Sequence, residues 1–245
     1  GKYVIPGGVD VHTHMELPFG GTFASDTFET GSRAAAWGGV TTIVDMAVQR
    51  YGENVFDGLA EWHRKAEGEC AIDYAFHQII GGVDDQSLKA MKYLTEHEGI
   101  SSFKLFMAYP GVFYSEAEAT HRAIVLSHVA GNVPLYIVHM SAGDALNEVA
   151  AARHHGRNVF AETCPQYLWL TLEETLGQPG FEGSKWVCST PVRSRDHDPH
   201  HIGQMGHGHQ GDLWKGLRMN ELAVVSTDHC PFCFKDQKEL GLGDF

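Results

Sequence analysis

The sequence predicts an α/β fold built on a parallel sheet with helical crossovers. Three observations carry this. Short apolar runs rich in β-branched residues recur along the chain, helical stretches separate most of them, and glycines stand where those stretches stop. Strand and helix in alternation require a crossover on each return, so neighbouring strands lie parallel.

The first run covers 4–14 and ends in V-D-V-H-T-H. A helical stretch at 26–38 follows, with Asp26 as N-cap and Gly39 as stop. The second run, 41–47 (T-T-I-V-D-M-A), leads into a helix over 56–69. The third, 71–80, leads into a helix over 84–98 that stops at Gly99. The fourth, 101–108 (S-S-F-K-L-F-M-A), precedes a helix over 116–130 closed by Gly131. The fifth, 134–141 (P-L-Y-I-V-H-M-S), hands over at Ser141, an N-cap candidate, to a helix over 142–155 stopped by Gly156. The sixth is 158–164 and the last 222–228. Between those two, 165–220 holds no clear strand and reads as loops and short helices. That makes seven strands, where a closed (β/α) barrel has eight.

The chain has 245 residues, 43% hydrophobic and 20% charged, which suits one globular domain over 1–245 with a sizeable core. Its net charge of −13, without a basic stripe, argues against nucleic acid and anionic membrane as partners. No apolar run is long enough to span a bilayer and no leader-like segment is visible, so a cytoplasmic setting is expected. The five cysteines, an odd number, read as reduced thiols, and Cys230-Pro-Phe-Cys233 as a structural pair without the second pair of a zinc ribbon. Histidine is abundant at 16 residues, in part because of a His-rich segment at 196–210. That segment lacks apolar periodicity and reads as a polar loop.

The polar residues in the strand runs gather toward strand ends. His12 and His14 end the first run, Lys104 lies inside the fourth, His139 is near the end of the fifth, and Asp228 ends the last. In a parallel barrel all strand C-termini open on one face, where active sites are built. His12 and His14 are spaced i, i+2, so on a strand both imidazoles project from one face and reach one ion. Three imidazoles and a carboxylate suit Zn²⁺ or a similar first-row ion. Lys104 sits between Phe103 and Leu105. Burial favours its neutral amine, which can add CO₂ to form a bridging carbamate. A lysine snorkelling to the barrel end is the other reading. Sequence physics leaves both open.

V-I-P-G-G-V-D-V-H-T-H-M-E-L-P-F-G-G-T, S-F-K-L-F-M-A-Y-P-G-V-F, P-L-Y-I-V-H-M-S, E-T-C-P-Q-Y-L and V-S-T-D-H-C-P-F together resemble bacterial D-hydantoinases and dihydropyrimidinases, cyclic-amide hydrolases of the amidohydrolase superfamily. The resemblance implies a (β/α)₈ TIM-type barrel with two zinc ions. It implies His12, His14 and Asp228 on the more buried metal, His139 on the second, and a carbamylated Lys104 bridging them. By the same resemblance Tyr109 stabilises the oxyanion and the Ser189 backbone contacts the cyclic ureide or imide. Met15, Leu17, Phe19, Phe106 and Phe113 would wall the ring substituent, and the subunits would form a homotetramer. The implied reaction opens 5-substituted hydantoins or dihydropyrimidines. A catalytically impaired or non-catalytic relative and an allantoinase-type amidase are the alternatives.

Three departures from that pattern stand out. The family's small β-sandwich, drawn from both chain ends, is not in this sequence, nor is the downstream asparagine that contacts substrate. At Tyr114-Ser115 the family has a further strand carrying another histidine ligand, which is missing here and accounts for the strand count. The segment 196–210 is longer than the family's connection.

Overall fold

The computed structural model describes residues 1–106, 109, 134–195 and 208–242. They fall into two compact units, Gly1–Gly131 with His229–Pro231, and Asn132–Asp228 with Phe232–Phe245. The helix expected over 116–130, its Gly131 stop, Phe113 and most of the His-rich segment lie outside the described residues.

In the first unit, β1 (Gly8–Thr13) is followed by a hairpin of β2 (Pro18–Phe19) and β3 (Thr22–Phe23). Then come α1 (Phe28–Trp37), β4 (Val40–Val48), α2 (Val55–Ala66), β5 (Asp73–Ile79), α3 (Asp85–His97) and β6 (Phe103–Lys104). The sheet runs β1-β4-β5-β6, and all its pairings are parallel, as the alternation demands. β4 is central and longest, in register with β5 from Thr42↔Asp73 to Val48↔Ile79. Its residues Ile43, Met46, Ala47 and Val48 are buried, as are Trp62 and Phe28 of the crossover helices.

Local chemistry explains most boundaries, with some corrections. The first strand starts at Gly8 rather than at residue 4, because pairing with β4 begins at Gly8↔Val40; Tyr3 before it is 99% exposed. The N-cap of α1 is Thr27, not Asp26: Thr27 and Thr30 form a capping box, and Asp26 accepts the Thr30 hydroxyl at 2.9 Å. Asn54 and Asp84 cap α2 and α3 through Phe56 and Ser87 backbone N–H groups. Gly39, Gly99 and Gly156 follow their helices with φ of +88°, +73° and +74°, as stops do. The hairpin escaped the strand reading because its strands are two residues long. Its signal was Gly20-Gly21, whose φ values of +59° and +80° suit a tight two-residue turn.

The second unit holds β7 (Leu135–Ile137), α4 (Gly143–His154), β8 (Val159–Thr163), α5 (Pro165–Trp169), a 3₁₀ helix (Gly180–Trp186), α6 (His209–Arg218) and β9 (Val224–Val225). Its sheet runs β7-β8-β9, again parallel. Leu146 and Val149 of α4, Leu213 of α6, Ala161, Tyr167 and Leu168 pack into one apolar cluster. Ser141 is not the N-cap of α4; Ala142 is, and the Ser141 hydroxyl accepts from Arg193 Nε at 3.1 Å. The Gly143 N–H is satisfied instead by His209 Nδ1 at 3.0 Å. So the end of the 196–210 segment is not loop. His209 opens a helix, is buried, and closes the N-terminus of another. No helix among the described residues is long and apolar enough to cross a membrane.

Candidate metal centre

β1 delivers His12 and His14 from its C-terminal end, and β6 delivers Lys104 two strand positions beyond β4 in the same sheet. All are buried, at 0%, 5% and 9% exposure. The Nε2 atoms of His12 and His14 lie 3.2 Å apart. Lys104 Nζ is 3.0 Å from the first and 3.5 Å from the second, and 4.8 Å above the Phe106 ring. Two nitrogens each about 2.0–2.1 Å from a tetrahedral zinc stand roughly 3.3 Å apart. The imidazole pair therefore fits one such ion, and the donor type suits it.

The strand end is held rigidly. Asp45 of β4, fully buried, accepts from the Thr13 hydroxyl at 2.7 Å, the Met15 N–H at 2.8 Å and Trp62 Nε1 at 3.0 Å. It thereby clamps the residues on either side of His14. Burial pushes its pKa from 3.8 up to about 6 against those three donors. The His14 N–H itself donates to the His229 carbonyl at 2.9 Å, Thr13 bridges His229, and the Ser25 N–H donates to the Pro231 carbonyl at 2.8 Å. His229 in turn pairs with Asp26 at 2.6 Å. Asp45 was not singled out from sequence. Its signal was a carboxylate inside an apolar strand, the same signal that exposes Lys104.

The expected wall residues of this unit are dispersed in depth. Met15 is 1% exposed and packs against α1, where a Cβ on Gly31 would fall 2.3 Å from its sulfur. Leu17 is buried. Phe19 and Phe106 both meet Tyr109 edge-on, at ring distances of 5.3 and 6.0 Å.

In the second unit His139 follows β7. Its N–H donates to Glu162 Oε1 at 3.3 Å, and its Nδ1 is 3.0 Å from Thr190 Oγ1. Glu162 of β8 is fully buried and accepts from the Tyr136 hydroxyl at 2.7 Å. Burial and then that carboxylate push the Tyr136 phenol well above its ordinary value. Ser189 is exposed. Asp228 ends the stretch after β9 and is bonded directly to His229, the residue that anchors His14. Neither Glu162 nor Thr190 was expected from sequence.

Tyr109, His139 and Asp228 share a further property: φ of +64°, +40° and +53°. Left-handed backbone at a residue with a Cβ is strained by roughly 1–3 kcal/mol and gathers at functional positions. The sequence points to His139 and Asp228 by side-chain chemistry and to Tyr109 only by the resemblance, and the backbone singles out all three, alongside Glu16, Asn220 and Asp236.

A parallel α/β chain with a His-x-His pair and a buried lysine converging at strand ends has the donors that could hold a metal ion. No family model matches the chain. It is 51% identical, over all of its residues, to a D-hydantoinase of Streptomyces coelicolor, covering 61% of that protein. It is 38% identical, again over all of its residues, to a D-hydantoinase of Geobacillus stearothermophilus, covering 61% of that protein. Among solved structures, the dihydropyrimidinase of Brevibacillus agri superposes with a TM-score of 0.84 at 37% identity, over 96% of this chain and 60% of that one. The D-hydantoinase of a Bacillus sp. gives 0.85 at 38%, over 98% and 62%. Along its whole length, then, this chain is similar to D-hydantoinases and to a dihydropyrimidinase. It spans about three fifths of the length of the curated relatives it matches. The alignment to the Streptomyces protein runs over 300 positions against 245 residues here, so at least 55 positions (300 less 245) have no counterpart in this chain.

Proposed function

We propose that this chain is the metal-binding catalytic part of a cyclic-amide hydrolase that opens 5-substituted hydantoins or dihydropyrimidines to N-carbamoyl amino acids or ureido acids. One observation carries the reading: two imidazole Nε2 atoms 3.2 Å apart beside a buried lysine, in a relative of D-hydantoinases. The fold is a (β/α)₈ TIM-type barrel short of one strand. Parallel βα order and the likeness to solved hydantoinases support it. The unmatched 55 positions support the missing strand.

His12, His14 and Asp228 would hold one zinc ion and His139 would contribute to holding a second. Lys104 would add a further oxygen ligand as a carbamate, formed when its neutral amine adds CO₂ and releases a proton. Bound zinc supplies acidification of a water and polarisation of the amide carbonyl. Asp228 accepts the proton of the attacking water and returns it to the leaving nitrogen. The Tyr109 hydroxyl donates to the developing oxyanion. The Ser189 backbone holds the ring, while Met15, Leu17, Phe19, Phe106 and Phe113 enclose its substituent. The strained backbone at Tyr109, His139 and Asp228 supports their roles. The retained donors favour catalysis over a non-catalytic relative, and the hydantoinase relatives favour it over an allantoinase. The five free cysteines suit a reducing cytoplasm, and a homotetramer follows from the resemblance.

The test is zinc content together with a substrate panel of dihydrouracil, 5-substituted hydantoins and allantoin. Zinc-dependent ring opening is expected for the first two classes, with zinc and activity lost together in His12→Ala. A zinc-loaded chain that opens neither ring refutes the reading.

A further inference from the structure

In the second unit the ring and the backbone of His139 each meet a polar partner. A neutral imidazole has one N–H and one lone pair, and only the lone pair binds a metal. Nδ1 of His139 is 3.0 Å from Thr190 Oγ1. The Thr190 carbonyl accepts the Tyr167 hydroxyl at 2.7 Å and the Cys188 thiol at 3.3 Å. Tyr167 is 2% exposed and belongs to the unit's apolar cluster with Leu168 and Leu213. The Thr190 backbone is thus tied to the core, and its side chain meets the imidazole from a fixed place. On the backbone side, Glu162 accepts the His139 N–H at 3.3 Å and φ is +40°.

We infer that Thr190 is a positioning residue: its hydroxyl accepts the His139 Nδ1–H, sets the tautomer with the lone pair on Nε2, and so turns Nε2 into the metal ligand. The inference rests on the reading of His139 as a zinc ligand. A partner on the second ring nitrogen is the usual way a protein orients a metal-binding histidine. Tyr167 and Cys188 then act one step further out, by holding the Thr190 carbonyl. Sequence alone points past this residue to Ser189, which is exposed, whereas Thr190 is half-buried.

The test uses the full chain and Zn²⁺ itself. Zinc affinity, by competition with a chromophoric chelator, is compared for the parent, His139→Ala, Thr190→Val and Thr190→Ser. Valine keeps the shape and loses the hydroxyl; serine keeps the hydroxyl. Thr190→Val is expected to weaken zinc binding about 10–100-fold, and Thr190→Ser by no more than roughly threefold. In parallel, ¹⁵N-histidine spectra of the zinc-free parent, with the His139 signal assigned from His139→Ala, report the tautomer. The expected form is protonated on Nδ1.

If His139→Ala leaves zinc affinity unchanged, or the parent takes up no zinc, the ligand reading fails and the inference falls with it. If His139→Ala weakens binding but Thr190→Val does not, Thr190 has no positioning role while the ligand reading stands. If Thr190→Ser loses as much as Thr190→Val, packing rather than the hydroxyl is responsible and the inference is overturned. If Thr190→Val does not fold, the parent spectrum decides: Nε2 protonation overturns the inference and Nδ1 protonation sustains it.

Discussion

Asp45 is a fully buried carboxylate whose pKa is raised from 3.8 to about 6, and this has a measurable consequence. The folded protein holds the Asp45 proton more tightly than the unfolded chain, so between those values folding takes up a proton. Asp45 therefore stabilises the fold in full below pH 3.8, and that contribution is lost as pH rises through about 6. The gap corresponds to about 3 kcal/mol, of which roughly 2–3 kcal/mol falls between pH 4 and pH 7.5. Asp45→Asn removes the titration. The amide also presents a donor where the carboxylate accepted, costing roughly 1–3 kcal/mol at every pH. The informative quantity is the change in the variant-minus-parent difference with pH, not its value at one pH. Urea unfolding of both proteins at several pH values, with EDTA present to keep metal binding out of the comparison, gives it. The difference should move about 2–3 kcal/mol in favour of the variant from pH 4 to pH 7.5. Curves that stay parallel over that range refute the assignment of a proton to the Asp45 clamp.

Two other perturbations follow from the packing. Gly58 lies in α2 where an added Cβ would fall 2.4 Å from the Val48 carbonyl of β4. Gly58→Ala should destabilise the fold by about 1–3 kcal/mol in thermal or urea unfolding, the reverse of the gain alanine brings to an open helix site. Tyr136→Phe removes the donor that Glu162 Oε2 accepts at 2.7 Å, which should cost about 1–3 kcal/mol by the same measurement and leave the helix content seen by circular dichroism intact.

All seven apolar runs read from the sequence carry a strand, because β-branched residues bounded by turns leave a local trace. His12, His14 and Lys104 were legible for a related reason: a polar group inside or at the end of an apolar run stands out. What stayed hidden depends on partners remote in sequence. Asp45 draws its meaning from Thr13, Met15 and Trp62, which lie 32, 30 and 17 positions away. The N-terminus of α4 is closed by His209, 66 positions away, where Ser141 alone offered a local candidate. Thr190 and His139 are 51 positions apart, and no periodicity joins them. Backbone strain at Tyr109, His139 and Asp228 is likewise silent in sequence, since even Asp and His, which enter the left-handed region more readily than most residues, usually lie outside it.

The short return of His229–Pro231 into the first unit shapes how the protein comes off the ribosome. The peptide that accepts from the His14 N–H is made after more than two hundred further residues, and Pro231 does the same for Ser25. The amino-terminal unit therefore cannot complete its own set of backbone pairings during synthesis until the other unit has emerged. The histidine-bearing end of β1 is among the last features to be locked, and cutting the gene between the units would leave it without its closing strap.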